Sequence, residues 1–425
     1  MNYKNKHCLA SYIGKKIAIL GHGIEGQDAE KFLKKQGALI TVLDQKADKN
    51  YLKNLERFDM IVRSPGVYRY KKEIVKAQKS GVRIASPIHI FFDEFGGIII
   101  GVTGTKGKGT TSTLICDILR KSGSDVFLAG NIGKPFLELL PKLNSKSIVV
   151  LELSSFQLID LTVSPDIAVV LNITSDHLDW HKNQKEYVEA KTNIVKHQNS
   201  DDWAVINKEY KVSKSFAKLT KANKIFFSKN TLEKEYKKGL KLKGEHNLEN
   251  IAAAVSVAKI LNIKKEIIQK VVKNFKGLEH RLELVKTVNG ITFYNDSFAT
   301  GPQPTIAAIR SFSEPITLIL GGSEKGHGFS ELAGEITKSS VSNVVVIGEI
   351  REKIIKALTK AKFQGDVHDL GTQTMKKIVI KTLKTTPKGG VVILSPAAAS
   401  FDMFDNYKDR GNQFKKEVQK LHGSK

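Results

Sequence analysis

The stretch "GVTGTKGKGTTS", residues 101–112, has the residue types and spacing of a loop that holds a phosphate chain. Gly104 and Gly107 let backbone N–H groups approach an anion, and Lys108 brings a cation to its far end. Thr105, Lys106, Gly109 and Thr110 complete the turn. The spacing is GxxGK rather than GxxxxGK[ST], and Gly109 stands where a Ser or Thr usually offers its hydroxyl to Mg²⁺. Because Mg²⁺ commonly keeps several waters and uses one or two carboxylates plus phosphate oxygens, the loop can work without that hydroxyl. Glu152, with water or the hydroxyl of Thr110 or Thr111, is the expected substitute.

Further acids and bases fall at the ends of apolar runs. Glu152 closes "SIVVLEL", where a charge is costly unless it meets a cation. "IAVVLNITSDHLDWH" delivers Asn172, Asp176, His177 and Asp179 just beyond another strand, and Glu152 and His177 are the candidate metal ligands. In "NQKEYVEAKTNIVKHQ", Lys191 shares a helical face with Tyr187, Ile194 and Val195. Its amine either snorkels to water or reaches the site.

A second glycine turn lies near the N-terminus. In "KKIAILGHGIEGQDAEKFLKKQGALITVLDQK" a strand at Ile17–Leu20 meets Gly21, Gly23 and Gly26, then a helix, then a strand ending at Asp44. That is the βαβ pattern of a nucleotide-binding half, with an acid placed for a ribose or base. "VRSPGV", with Ser64, Pro65 and Gly66, ends a strand that closes the same crevice.

The elements that position these residues are short β-branched runs alternating with helical patterns, which predict an α/β protein of parallel sheets with crossover helices. Three such series follow one another. The first starts at "KKIAIL", the second at "GGIIIGV", where Leu114, Ile115, Ile118 and Leu119 stripe the helix after the loop, and the third follows "HRLELVKTVNGITFYNDSFATG". Within the third, "ITLILGG", "SNVVVIG" and "GGVVILSP" read as strands of another doubly wound domain. The lysine-rich stretch 208–244 reads as exposed hairpins and helices.

Composition narrows the class. The chain has 425 residues, 41% hydrophobic and 26% charged, which suits two or three folded domains. Its apolar runs are far short of the ~18 residues of a membrane span, and no signal peptide is visible. Cys8 and Cys116 alone exclude a disulfide framework and suit a reducing cytoplasm. The net charge of +25 comes from scattered lysines without interleaved aromatics, so no nucleic-acid partner is expected.

Over nearly its full length the chain resembles the Mur ligases, and among them the D-glutamate-adding members. The resemblance is carried by "VTGTKGKGTT", "GNIG", "ELSSFQL", "GEHNLENIAAA", "GLEHRLE", "NDSFAT", "GGSEKG" and "LSPAAASFDMFDNYKDRGNQF". It implies a Rossmann-like UDP-sugar domain over 1–95, a central P-loop ATPase over 96–279 and a Rossmann-like amino-acid domain over 280–425. The implied reaction joins D-glutamate to UDP-N-acetylmuramoyl-L-alanine through an acyl phosphate, using ATP and two Mg²⁺ ions, in peptidoglycan precursor synthesis by a cytoplasmic monomer.

Carried onto this sequence, the resemblance gives Gly104 to Thr110, Asn247, Asn250, His280, Arg281 and Asp296 to ATP. Glu152, His177, Thr110 and Lys191, the last as a carbamate, serve the metal. Gly23, Ile24, Asp44, Ser64, Gly66, Asn131 and Ser154 meet the UDP-sugar, and Thr300, Lys325, Ser400 and Tyr407 meet D-glutamate. Lys108, Lys191, His177 and Lys325 are the implied catalytic set. Lys106 replaces a common Asn, Phe298 stands where many relatives have lysine, Tyr407 where many have Phe, and Glu25 sits beside an expected diphosphate.

Two rivals belong to other classes. A dinucleotide-dependent dehydrogenase built on "GHGIEG" and Asp44 would leave the second glycine loop, Glu152, His177 and Lys325 without roles. A basic nucleic-acid-binding protein would show steeply salt-dependent retention. A third rival is an amide ligase of the same family with other substrates, against which "ELSSFQL" and the C-terminal words stand.

Overall fold

The computed structural model describes residues 11–131, 135–174, 180–242, 244–324, 326 and 328–422. The apolar runs become three sheets. The first contains β1 (Lys16–Leu20), β2 (Leu39–Leu43), β3 (Met60–Arg63) and β4 (Arg83–Ala85), all parallel, in the order β2-β1-β3-β4. The second contains β5 (Ile98–Thr103), β6 (Val126–Gly130), β7 (Ile148–Glu152), β8 (Ile167–Val170), β9 (Trp203–Asn207) and β10 (Asn223–Phe227). These are also parallel, in the order β10-β9-β8-β5-β7-β6.

After β5 the chain runs to the sheet edge at β6, returns inward to β7 beside β5, then crosses to β8, β9 and β10 on the other side. The carboxyl end of β5 is therefore a topological switch point, where open α/β sheets hold ligands. The phosphate loop starts there.

Both sheets belong to one compact unit, made of the described residues up to Gly239 together with His246–Asn274. One apolar core runs through it, including Ile17, Phe91, Ile99, Phe136, Leu151 and Ile194. A fully buried Arg63 at the end of β3 also ties the two sheets together. Its guanidinium pairs with Asp160, 2.6 Å from Nε, and donates to the carbonyls of Ser64, Pro65, Val67 and Phe156. Removing one partner of such a buried pair typically costs about 3–5 kcal/mol.

The stretch 208–244 corrects the expectation of hairpins. β10 runs parallel to β9, and the connection between them is helical at Lys211–Ser215 and Phe216–Lys218. Parallel pairing requires such a crossover, and Phe216, Phe227, Leu232 and Tyr236 anchor the lysine-rich surface from beneath.

The second compact unit is Leu240–Glu245 with Phe275 onward. Its sheet contains β11 (Glu283–Val288), β12 (Ile291–Asn295), β13 (Ile316–Gly321), β14 (Val341–Ile347), β15 (Asp366–Asp369) and β16 (Val391–Leu394), in the order β11-β12-β16-β13-β14-β15. It is mixed rather than wholly parallel, because β11 and β12 form an antiparallel hairpin. Asn289 and Gly290 make its turn with φ of +53° and +78°, the paired positive values of a two-residue hairpin loop. Apolar layers cover both faces.

Candidate active site

Thr103 ends β5 and the loop turns at Gly104, where an added Cβ would lie 2.7 Å from Leu171 Cβ. The loop is fastened to the end of β8. Thr105 N donates to Asn172 O (2.6 Å) and Lys106 N to Asn172 Oδ1 (2.8 Å). Asn172, expected among the polar groups delivered by that strand, thus organises the loop. Thr105 Oγ1 lies 3.0 Å from the Tyr187 hydroxyl.

Gly107 has φ +86°, and a Cβ there would meet Asn250 Oδ1 at 2.2 Å. Asn250 in turn accepts from Thr111 Oγ1 (3.3 Å) and donates to Asn247 Oδ1 (2.8 Å). Asn250, with Asn247 beside it, therefore stands directly behind the loop. Lys108 opens the helix Lys108–Lys121, and its amine donates to the carbonyls of Gly104 and Thr105 at 3.1 and 3.0 Å. Leu114, Ile115, Ile118 and Leu119 are all buried, as their stripe predicts. Gly109 is an ordinary helical residue in the first turn, beside Thr110.

Glu152 ends β7 in register with Val102 of β5, so its carboxylate belongs to the same sheet edge as the loop. It is 3% exposed. Oε1 accepts from Asn131 Nδ2 at 3.0 Å, whereas the buried Oε2 finds no hydrogen-bond partner among the described residues. A buried carboxylate oxygen left without a donor suits a cation ligand. Among the described residues no three His, Cys, Asp or Glu side chains group as a metal cage.

Lys191 is 1% exposed on the helix Gln184–Lys196, beside buried Tyr187, Ile194 and Val195. The amine does not snorkel. It donates to Thr103 Oγ1 and Gly104 O, both at 3.1 Å, and lies 4.9 Å from the centre of the Tyr187 ring. Asp176, His177 and Asp179 lie outside the described residues, as do Lys325 and the second half of "GNIG".

At the first glycine turn, Gly21 takes φ +82° and accepts from Ser64 Oγ through its carbonyl at 2.6 Å. Asp44 follows β2 and accepts from His22 N and Lys46 N at 2.7 and 2.8 Å. Those backbone donors, Lys46 first, hold its carboxyl below the usual range. Gly23 precedes the helix Ile24–Lys35, Ile24 is 76% exposed, and Gly66 has open space around it. Glu25 turns away from the helix end to accept from Gln157 Nε2 at 2.6 Å. Gln157 Oε1 accepts from Ser154 N, closing a capping box on the helix Ser155–Leu158. Burial pushes the Glu25 carboxyl up to about 7.

In the second unit, the ends of β12 and β16 meet through Asp296, which accepts from Ser395 Oγ (2.6 Å) and Leu282 N (3.1 Å). Burial pushes this carboxyl up to about 7. His280, at φ +63°, packs edge-on against Tyr407, and Phe298 packs edge-on against the same ring. The Arg281 guanidinium lies over Phe298, 3.9 Å from its centre, so a cation stacks on this ring. Thr300 N donates to Phe298 O, and buried Ser400 starts the turn that carries Met403 and Phe404.

Sequence reasoning passed over Arg410. It is fully buried and donates to Ser297 Oγ and to the carbonyls of Ser297, Ala398 and Ala399 at 2.9–3.1 Å. It also passed over His181 and Ser155, although the Asn183-to-Glu186 capping spacing marked the helix start that holds His181.

Residues 102–243 match the family model described as Mur ligase middle domain, and residues 280–398 that described as Mur ligase, glutamate ligase domain. The chain is 37% identical to the UDP-N-acetylmuramoylalanine–D-glutamate ligase of Acetivibrio thermocellus, over 99% of this chain and 100% of that one. The protein of the same name from Oenococcus oeni is also 37% identical, over 100% and 99%. In fold it is similar to the Thermotoga maritima UDP-N-acetylmuramate–alanine ligase, with TM-score 0.58, 18% identity and 95% and 99% of the two chains covered. The ADP complex of MurF ligase from the same organism gives TM-score 0.57 at 20% identity, covering 96% of each chain. With full-length relatives at this identity and both family models matched in order, the chain belongs to the Mur ligase family.

Proposed function

We propose that this chain joins D-glutamate to UDP-N-acetylmuramoyl-L-alanine, consuming ATP and releasing ADP and phosphate, in peptidoglycan precursor synthesis. The observation that carries the assignment is the full-length likeness to relatives bearing that activity in their names. The N-terminal segment 1–95 takes the UDP-sugar, 96–279 takes ATP and 280–425 takes D-glutamate. ATP phosphorylates the substrate carboxylate, the amine of D-glutamate attacks that carbonyl carbon, and the C–O bond to phosphate breaks as a proton leaves the nitrogen. Such chemistry depends on positioning and charge neutralisation.

Mg²⁺, when bound, offsets the charge crowded on the phosphates. Glu152 Oε2 and His177 would hold it, with Thr110 nearby. Lys108 exchanges its loop carbonyls for phosphate oxygens, and the loop's backbone N–H groups face the same anion. Lys325, Thr300, Ser400 and Tyr407 bracket the side-chain carboxylate of D-glutamate. Phosphate release with UDP-N-acetylmuramoyl-L-alanine and ATP should require D-glutamate and be poor with L-glutamate or D-alanine. Equal rates with D-alanine would overturn the assignment.

Lys191 works in this reading as a carbamate. Its neutral amine attacks CO₂, forming an N–C bond and losing a proton, and the resulting anion replaces a cation that would repel metal. The burial of the amine and its place against Thr103 and Gly104 support this. Lys191→Ala should lose most activity while staying folded, and acetate should restore part of it. A carbamate resonance should appear with ¹³CO₂ in wild type. Near-normal activity of Lys191→Ala, or a bare amine in active enzyme, would remove the carbamate.

A further inference from the structure

The segment that carries Glu152 and the helix that carries Lys191 meet at one buried side chain outside the set considered so far. His181, four residues after His177 in the sequence, is 2% exposed. Its Nε2 lies 2.8 Å from Oγ of Ser155, three residues after Glu152. Its Nδ1 lies 3.2 Å from Oε1 of Glu186, in the first turn of the helix that carries Lys191. A carboxylate only accepts, so Nδ1 donates to Glu186, and Nε2 and the Ser155 hydroxyl share a second hydrogen bond.

Each end of this relay is itself fixed. Glu186 N donates to Asn183 Oδ1, its Oε2 accepts from the Tyr68 hydroxyl at 3.0 Å, and its Oε1 also accepts from Lys182 N at 3.2 Å. Ser155 opens the turn that Ser154 and Gln157 cap. The His181 ring lies nearly flat on Phe156, at 14° and 5.6 Å, with Trp180 and Tyr187 edge-on. The ring therefore has one orientation, set from four sides.

We infer that Ser155, His181 and Glu186 form a positioning relay that sets the spacing between the segment carrying Glu152 and the helix carrying Lys191, a role beyond the loop and ligand residues above. The inference rests on the reading that Glu152 holds the metal and that Lys191, as a carbamate, serves it. Groups that orient metal ligands typically cost ten- to a hundredfold in metal affinity when removed. Unlike the residues that touch substrate, these act through backbone placement. The signature is weakened metal binding with nucleotide affinity retained.

The test is binding of Mn²⁺ with a non-hydrolysable ATP analogue, read by the electron paramagnetic resonance of the bound ion. Affinity for the analogue without metal and thermal unfolding are measured alongside. Ser155→Ala and His181→Ala should weaken Mn²⁺ roughly ten- to a hundredfold and leave metal-free analogue binding unchanged. His181→Gln, whose amide reaches the place of Nε2, should recover part of the loss. Wild-type Mn²⁺ affinity in folded Ser155→Ala and His181→Ala would overturn the relay, and Ser155→Ala decides alone if His181→Ala does not fold. Glu152→Gln separates the two levels. If it loses Mn²⁺ while the relay variants bind normally, only the relay fails. If it binds Mn²⁺ as wild type does, the metal reading beneath the relay fails as well.

Discussion

The chain contains two strand–glycine–helix turns, Gly21–Gly26 and Gly104–Lys108, that share an outline and differ in almost every polar contact. At the first, an added Cβ on Gly26 would strike the Gly21 carbonyl at 2.1 Å, so this glycine serves the packing of helix on strand. The helix end carries an acid, Glu25, which is drawn off to Gln157. At the second, Gly107 adopts φ +86°, a lysine opens the helix, and an acid on the same sheet edge has a buried oxygen with no hydrogen-bond partner among the described residues. The first turn suits a ligand whose own hydroxyl and amide groups find Asp44 and Ser64. The second suits concentrated negative charge with a cation. A shared turn geometry sets where a ligand lies, and the side chains around it decide what charge it carries.

The comparison breaks most sharply at Lys108. Lys108→Ala should cut phosphate release by roughly 10³-fold or more, because the cation that opens the helix after the glycine turn is lost. Retained turnover would place the phosphate chain elsewhere.

Alanine at the two packing glycines should separate the turns by substrate. Gly107→Ala faces both a positive φ and Asn250 Oδ1 at 2.2 Å, so KM for ATP should rise roughly tenfold with KM for the UDP-sugar unchanged. Gly26→Ala should do the reverse, because its clash is with the backbone of the first turn. Steady-state kinetics with each substrate varied in turn checks both, and a common effect would mean that the turns are not independent sites.

A smaller effect concerns Glu25. Its folded value of about 7 lies above the ordinary one, so the folded chain keeps a proton that the unfolded chain has released. This contribution is complete below the ordinary carboxylate range and is lost as pH rises through about 7. Glu25→Gln should therefore match wild type near pH 5 and unfold about 2 °C higher near pH 8. Asp28, pushed up to about 6 mainly by burial, should leave part of the slope in place. The smallest change is expected for Gly109→Ser. The residue is helical, so glycine's special freedom is not in use there, and kcat should stay within about threefold of wild type.

The sheets and the loop were legible because period and punctuation were strong. "GGIIIGVTGTKGKG" gives a buried strand, a glycine turn and a striped helix within two dozen residues, and all three form as read. What escaped depended on partners distant in sequence. Nothing local to "VRSPG" says that Arg63 will be buried against Asp160, 97 residues on. Arg410 likewise finds Ser297 across 113 residues. The hairpin at Asn289–Gly290 was missed for a different reason. Its dipeptide signal was present, but the surrounding strands suggested a continuous parallel pattern. Lys191 shows the limit of periodicity, which put it on the apolar face without saying whether its amine would escape. The structure answers through Thr103 and Gly104, residues of another element.

Arg410 also has a consequence for the order in which the protein can become active during synthesis. The loops that follow β12 and β16 are held by its guanidinium, and β12 itself pairs with β16. Residue 297 therefore waits for more than a hundred later residues to leave the ribosome before its hydroxyl has its partner. A nascent chain that has completed its phosphate loop still lacks the framework for the loops at 297 and 398–399. A stop codon shortly before position 410 would leave a translation product with its glycine loops complete and the backbone at 297 and 398–399 without this shared anchor.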